Sequence, residues 1–124
     1  MTSFDVEIVL KGRDFAVTEK VTIPYGDITT WDETAAYDAL AEILRAIERA
    51  GNPDAPRDRA VLLTGFSWIV EPEGDRVVIA IEIPSGAAVA GPFTIDAAQL
   101  DGLITRTIKL DRVAHQGPQG QRVH

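Results

Sequence analysis

The sequence predicts a single α+β domain in which one mixed or antiparallel sheet of about five strands carries a long amphipathic helix on one face. Two pairs of apolar runs are each joined by a short turn containing glycine, a pattern typical of β-hairpins. Between the pairs lies a segment whose apolar residues recur with helical spacing. The length of 124 residues is typical of one domain. The predicted order of elements is β-β-α-β-β-β-α.

The first predicted hairpin comprises residues 4–10 and 15–23, joined by the polar turn 11–14. In both runs apolar and polar residues alternate, which indicates strands with one buried face. The apolar face consists of Phe4, Val6, Ile8, Leu10, Phe15, Val17, Val21 and Ile23. Glu19 interrupts this face in the second strand.

The long helix is predicted from about residue 31 to residue 50. Thr30 and Glu33 have the spacing of a capping box, with Thr30 as N-cap, and Gly51 is a typical residue to follow a helix. One arc of the helical wheel is apolar: Ala36, Tyr37, Leu40, Ile43, Leu44 and Ile47. Residues 52–59 form a polar loop with two prolines.

Residues 60–70 and 76–83 form the second predicted hairpin. The first of these runs is apolar on both alternating faces, so its second face needs a cover. The last helix, the C-terminal tail or another subunit could supply that cover.

A fifth strand is predicted over residues 88–95, weakened by Gly91 and Pro92. A capping pattern begins at Asp96, and helical spacing follows it. Residues 103–110 could instead form a strand, because they are rich in isoleucine and threonine; we favour the helix. The domain is predicted to span residues 1–112, followed by a flexible tail, residues 113–124.

The amino-acid composition excludes several kinds of catalytic and metal-binding site. The chain has no cysteine, and its two histidines, His115 and His124, lie in the predicted tail. Disulfides, thiolate zinc sites and cysteine nucleophiles are therefore excluded, and a serine triad would require the tail to fold back. No glycine-rich phosphate-binding motif occurs. We predict no catalytic residue, no metal ligand and no cofactor, and lean against an enzyme.

Carboxylates are the only remaining candidates for chemistry. Glu71, Glu73 and Asp75 lie at a predicted turn, where their oxygens could hold a divalent cation, although exposed acids at a hairpin turn are common. Glu19 and Glu82 lie on strands, where an acid facing a core would have a raised pKa. For both groups the structural interpretation is preferred.

The net charge of −7 bears on partners and location. Residues 1–108 carry nine basic and eighteen acidic side chains, which repel nucleic acids and anionic membranes. No apolar run is long enough to span a membrane, and Asp5 precedes any apolar run, so no export signal is expected. We therefore expect a cytoplasmic protein. The acidic charge is interpreted first as a source of solubility, and the alternative interpretation is a protein partner with a basic surface.

The predicted function is that of a non-catalytic protein-interaction domain: an accessory subunit, adaptor, chaperone or inhibitor that self-associates as a homodimer. The candidate binding residues are the aromatic side chains of Trp31, Tyr25, Trp68 and Phe66, since exposed tryptophan and tyrosine are enriched at binding hot spots. Trp31 is expected near the surface, on the first turn of the helix.

Two alternative functions stay open. One is a small-molecule-binding domain, or an enzyme that uses carboxylate and tyrosine chemistry. The other is an acidic mimic of nucleic acid, encoded by a mobile element, that inhibits a nucleic-acid-binding protein. Mimicry would require a row of carboxylates on one face, and the candidates are Asp5, Glu7, Asp38, Glu42 and Glu48.

Overall fold

The computed structural model describes residues 1–55 and 61–121, which form one five-stranded antiparallel sheet and two α-helices. The strands are β1 (Thr2–Leu10), β2 (Ala16–Ile23), β3 (Ser67–Glu73), β4 (Arg76–Ile83) and β5 (Gly86–Phe93), and the helices are α1 (Glu33–Gly51) and α2 (Ala97–Gln121). A short 3-10 helix, Ile28–Thr30, precedes α1. The predicted α+β class and order of the main elements are confirmed.

The strands lie in the order β2-β1-β5-β4-β3, so β5 returns to pair with β1. Alternation in β1 separates its two faces: Phe4, Val6, Ile8 and Leu10 are buried, and the residues between them are exposed. The buried side chains of the strands form one core with those of α1 and α2. Both helices therefore lie on the same face of the sheet.

The start of α1 differs from the prediction. Asp32, not Thr30, is the N-cap, and its Oδ1 accepts a hydrogen bond from the backbone N–H of Ala35 at 3.0 Å. Thr30 belongs to the 3-10 helix, where its hydroxyl donates to the carbonyl of Asp27. Thr30 is thus taken up as the last residue of the 3-10 helix, whose own N-cap is Asp27, and the capping residue two positions later, Asp32, starts α1.

The strand predicted from residue 60 begins only at Ser67. Residue 60 lies outside the described residues, and residues 61–66 are irregular. Leu63 is nevertheless fully buried, and its N–H donates to Asp111 Oδ2 on α2 at 3.0 Å. The Tyr37 hydroxyl of α1 donates to the carbonyl of Val61 at 2.6 Å. This segment therefore buries apolar side chains by packing near the helices, not by strand pairing.

Residues 103–110 are helical, as we favoured. The predicted cap is also present, since Asp96 Oδ2 accepts from the N–H of Gln99 at 3.0 Å. The helix continues to Gln121, beyond the predicted domain limit at residue 112. Residues 122–124 of the predicted tail lie outside the described residues, and the mobility of the tail stays a prediction.

Candidate functional site: the uncovered sheet face

The face of the sheet opposite α1 and α2, called here the uncovered face, follows from the strand register. Glu7, Val89, Ala80 and Ile69 are cross-strand neighbours in one row over β1, β5, β4 and β3. The adjacent row consists of Ala16, Val9, Ala87, Glu82 and Ser67. Both helices pack against the other face, so these side chains point away from the core.

Apolar side chains cross the middle of the uncovered face. Ile69 is 53% exposed, Val9 43% and Val89 38%. Ala80 and Ala87 lie between them in the two rows. We call these five residues the apolar stripe. Single exposed apolar residues are ordinary on a protein surface, but a contiguous group is typical of an interaction site.

The charged side chains around the apolar stripe are mostly acidic, and they are called here the acidic surround. The acids of the uncovered face are Asp5, Glu7, Glu71, Glu73 and Glu82, and its bases are Lys20 and Arg76. Lys20 Nζ lies 3.4 Å from Asp5 Oδ1, and both side chains are exposed. The face as a whole is therefore negatively charged.

The two edge strands carry residues that oppose the addition of another strand. Lys20 lies on β2, at one edge, and Pro72 lies on β3, at the other. A charged lysine and a proline without an N–H both make edge pairing unfavourable. Association through the face of the sheet is thus more compatible with this sequence than association through its edges.

A cleft of about 830 Å³ opens at the end of the uncovered face where β1 and β4 end. Its lining includes Val9, Lys11, Arg13, Phe66, Glu82 and Ala87. The turn after β1 forms one side, and it is held to the turn between β4 and β5 by a hydrogen bond from the N–H of Lys11 to the carbonyl of Ser85 at 3.0 Å. The volume lies in the range of sites that bind small molecules or short peptide segments.

Gly86, which also lines the cleft, is a residue that sequence reasoning missed. A Cβ at this position would lie 2.7 Å from the carbonyl oxygen of Val9 and 3.1 Å from the Cα of Leu10. Only glycine therefore allows β5 to approach β1 this closely at the start of their pairing. The sequence contains no local signal for this contact, because the two strands are far apart in the chain.

Trp31 is not near the surface. Its side chain is 8% exposed, and its ring lies among those of Phe4 and Phe93, with centroid distances of 6.5 Å and 6.0 Å. Its Nε1–H donates to the carbonyl of Gly26 at 2.9 Å. Trp31 lies between the 3-10 helix and α1, not on the first turn of α1, and its ring packs into the core. Its role in binding stays a prediction.

The other three aromatic candidates are half-buried and lie apart. Tyr25 follows β2 and donates a short hydrogen bond to Asp38 Oδ2 on α1. This bond to a carboxylate is the main reason why the pKa of Tyr25 is raised above its ordinary value. Trp68 packs against the core from β3, and Phe66 lines the cleft. The structure therefore brings Phe66, but not Tyr25 or Trp31, to the cleft.

The strand carboxylates have different surroundings. Glu19 is half-buried and accepts a hydrogen bond from Arg49 Nε at 2.9 Å, so an ion pair with α1 compensates its charge. Glu82 is exposed on the uncovered face. The half-buried Glu19 thus has a structural partner that explains its position on the apolar face of β2.

The five carboxylates considered for nucleic-acid mimicry do not share a face. Asp5 and Glu7 lie on the uncovered face, whereas Asp38, Glu42 and Glu48 lie on α1, beyond the other face of the sheet. On α1, Asp38 accepts a hydrogen bond from Tyr25, and Glu42 forms an ion pair with Arg45. The regular row that mimicry requires is not formed by these residues.

Comparison of the chain with protein-family models, with curated proteins and with solved structures gives no match. Over the described ranges 1–55 and 61–121, no three acidic or histidine side chains converge as they would around a metal ion. In the same ranges, neither helix has the length and apolar character needed to cross a membrane.

Proposed function

We propose that this chain is a non-catalytic protein-interaction domain, an accessory subunit or adaptor, that self-associates as a homodimer through the uncovered face. The observation that carries the proposal is the apolar stripe on a face that neither helix covers. We place the protein in the cytoplasm, where reducing conditions suit a chain without cysteine.

The size of the face is compatible with a dimer. Five strands at a spacing of ~4.8 Å and eight residues at ~3.3 Å give a surface of ~24 Å by ~26 Å, or roughly 600 Å². Stable interfaces bury about 800 Å² per partner, and weaker ones bury less. The uncovered face, extended by the rim of the cleft, therefore supplies enough surface for association of moderate affinity.

The residues that protect the sheet edges also support the uncovered face as the site of association. Lys20 and Pro72 disfavour pairing at β2 and β3, whereas no comparable residue interrupts the apolar stripe. The acidic surround also favours a partner with a basic surface, which we keep as the second candidate. Both candidates use the same face and differ in the identity of the partner.

The test is sedimentation equilibrium of the full chain over a range of concentrations. We expect a monomer–dimer equilibrium with a Kd of roughly 1 µM, typical of a modest interface. The double variant Ile69→Lys and Val89→Lys introduces two charges into the apolar stripe and should be monomeric, with an unchanged circular dichroism spectrum.

The matched control is Leu110→Lys with Val113→Lys on α2, where the two side chains are 56% and 61% exposed. It adds the same charge to the helical layer and should dimerise as the wild type does. A wild-type chain that stays monomeric at roughly a hundred times the expected Kd refutes self-association. Equal weakening by both double variants refutes the assignment of the face.

A further inference from the structure

The apolar stripe runs obliquely across four strands of the sheet. On β3, β4 and β5 it occupies one row of side chains, Ile69, Ala80 and Val89. On β5 and β1 it continues in the adjacent row with Ala87 and Val9. Three strand spacings of ~4.8 Å and a step of two residues at ~3.3 Å give the stripe a length of ~16 Å. An α-helix, which rises ~1.5 Å per residue, covers this length with about eleven residues.

Carboxylates lie along both sides of the apolar stripe. Glu71 on β3 and Glu7 on β1 flank one side, and Glu82 on β4 flanks the other. Glu82 is the cross-strand neighbour of Ser67, four residues before Glu71, so the two acidic flanks are ~13 Å apart along the strands. This separation is close to the diameter of an α-helix with its side chains, ~10–12 Å. A cation, Lys11, lies at the β1 end of the stripe, in the turn after that strand.

The three flanking carboxylates carry uncompensated charge. All three are exposed, and within the described parts of the chain their side chains form no hydrogen bond or ion pair. The bases of the uncovered face lie beside other acids. Lys20 is 3.4 Å from Asp5, and Arg76 is the cross-strand neighbour of Glu73. A surface that complements the stripe therefore needs apolar side chains in the middle and cations on both sides.

We propose that the uncovered face is the docking site of a basic amphipathic helix of another protein, whose apolar face is bordered on both sides by lysine or arginine. This inference rests on the proposed function, in which a partner with a basic surface is the second candidate, and it specifies the form of that partner. The apolar face of the helix packs on the apolar stripe, and its cations reach Glu7 and Glu71 on one side and Glu82 on the other. The apolar contact supplies most of the affinity, and the charges select a basic helix over an acidic one.

The probe is a synthetic peptide of about fourteen residues, with leucine at the helical spacing i, i+3, i+4 and i+7 and lysine on both sides of the leucine face. Two comparison peptides have the same length. In one, glutamate replaces lysine; in the other, the same residues are scrambled so that no apolar face forms. Fluorescence anisotropy of each labelled peptide, titrated with the full chain, measures the Kd. The lysine helix should bind about tenfold more tightly than either comparison peptide.

A pair of charge-matched variants tests the place of binding. Glu7→Gln with Glu82→Gln removes one carboxylate from each side of the apolar stripe. It should weaken binding of the lysine peptide about tenfold, since an exposed ion pair contributes up to about a factor of five in affinity. The control is Asp54→Asn with Asp101→Asn, which changes the net charge equally at exposed positions after α1 and on α2. It should leave the Kd unchanged.

The outcomes separate the docked helix from the homodimer. Equal weakening by both double variants, or equal binding of the lysine and scrambled peptides, shows attraction by net charge alone and overturns the docked helix. Absence of binding by the lysine peptide overturns it as well, whatever sedimentation shows. A chain that is monomeric in sedimentation but binds the lysine peptide supports the docked helix and refutes the homodimer. If the chain dimerises, excess lysine peptide should convert the dimer to monomer, and a dimer that binds the peptide without dissociating overturns the proposed site.

Discussion

Replacing Trp31 by alanine tests whether this ring belongs to the core or to a binding surface. The side chain is 8% exposed and meets the edge of Phe93 at a centroid distance of 6.0 Å. Truncation of a buried aromatic residue to alanine costs about 3–5 kcal/mol. The carbonyl of Gly26 also loses its indole donor, but it keeps the hydrogen bond from the hydroxyl of Thr2. We therefore expect a loss of about 4 kcal/mol from the free energy of unfolding.

A loss of this size is large compared with the whole free energy of unfolding. Domains of this kind unfold with about 5–15 kcal/mol, so the variant should be marginally stable at room temperature and its urea midpoint should fall steeply. Urea denaturation followed by circular dichroism measures the change, and Trp68, the one other tryptophan, supplies a second probe by fluorescence. Trp31→Phe, which keeps a ring in the cluster, should recover part of the loss.

The control is Phe15→Ala, since Phe15 is an aromatic residue that is 55% exposed. Surface substitutions of this kind change stability by about 0.5 kcal/mol. A loss below about 1 kcal/mol in Trp31→Ala, together with lost self-association, would show that the ring acts at a surface, and it would refute the packing argument.

Two further predictions concern the contact between β1 and β5 and the burial of Tyr37. Gly86→Ala should cost about 1–3 kcal/mol in urea denaturation, because the new Cβ meets the backbone of β1, whereas Gly51→Ala at the end of α1 has room and should be neutral or stabilising. Burial raises the pKa of Tyr37, so the folded state holds the proton more tightly than the unfolded state does. The protonated Tyr37 hydroxyl therefore contributes to the free energy of unfolding below pH ~10, and this contribution is lost as the pH rises further. The melting temperature of Tyr37→Phe should accordingly fall less steeply above pH ~10 than that of the wild type.

The first hairpin and both helices could be predicted because their signals are local and periodic. Phe4, Val6, Ile8 and Leu10 alternate with polar residues over a full strand, and all four are buried. The first residue of the long helix could be predicted to within two positions, but the residue that caps the helix could not be identified. Thr30 and Asp32 are both good capping residues, and the choice between them depends on the 3-10 helix, which ends at Thr30.

The region before β3 was mispredicted because an apolar run does not by itself specify a strand. Leu63 is buried, and its N–H donates a hydrogen bond to Asp111, 48 residues later in the chain. The sequence around Leu63 contains no pattern that would predict this contact. The cleft was missed for the same reason. It combines the turn after β1 with the start of β3, the end of β4 and the start of β5, and only the sheet order brings these segments together.

The acidic surround gives the uncovered face a means of choosing its partner. An exposed apolar stripe alone would associate with any apolar surface, in any orientation. Around this stripe, Glu7, Glu71 and Glu82 repel other acidic surfaces. A second copy brings the same acids to the interface, so self-association has to come from the apolar stripe, whereas a partner with a basic surface is attracted by these charges. The charges therefore act mainly on specificity, while the apolar residues supply the affinity.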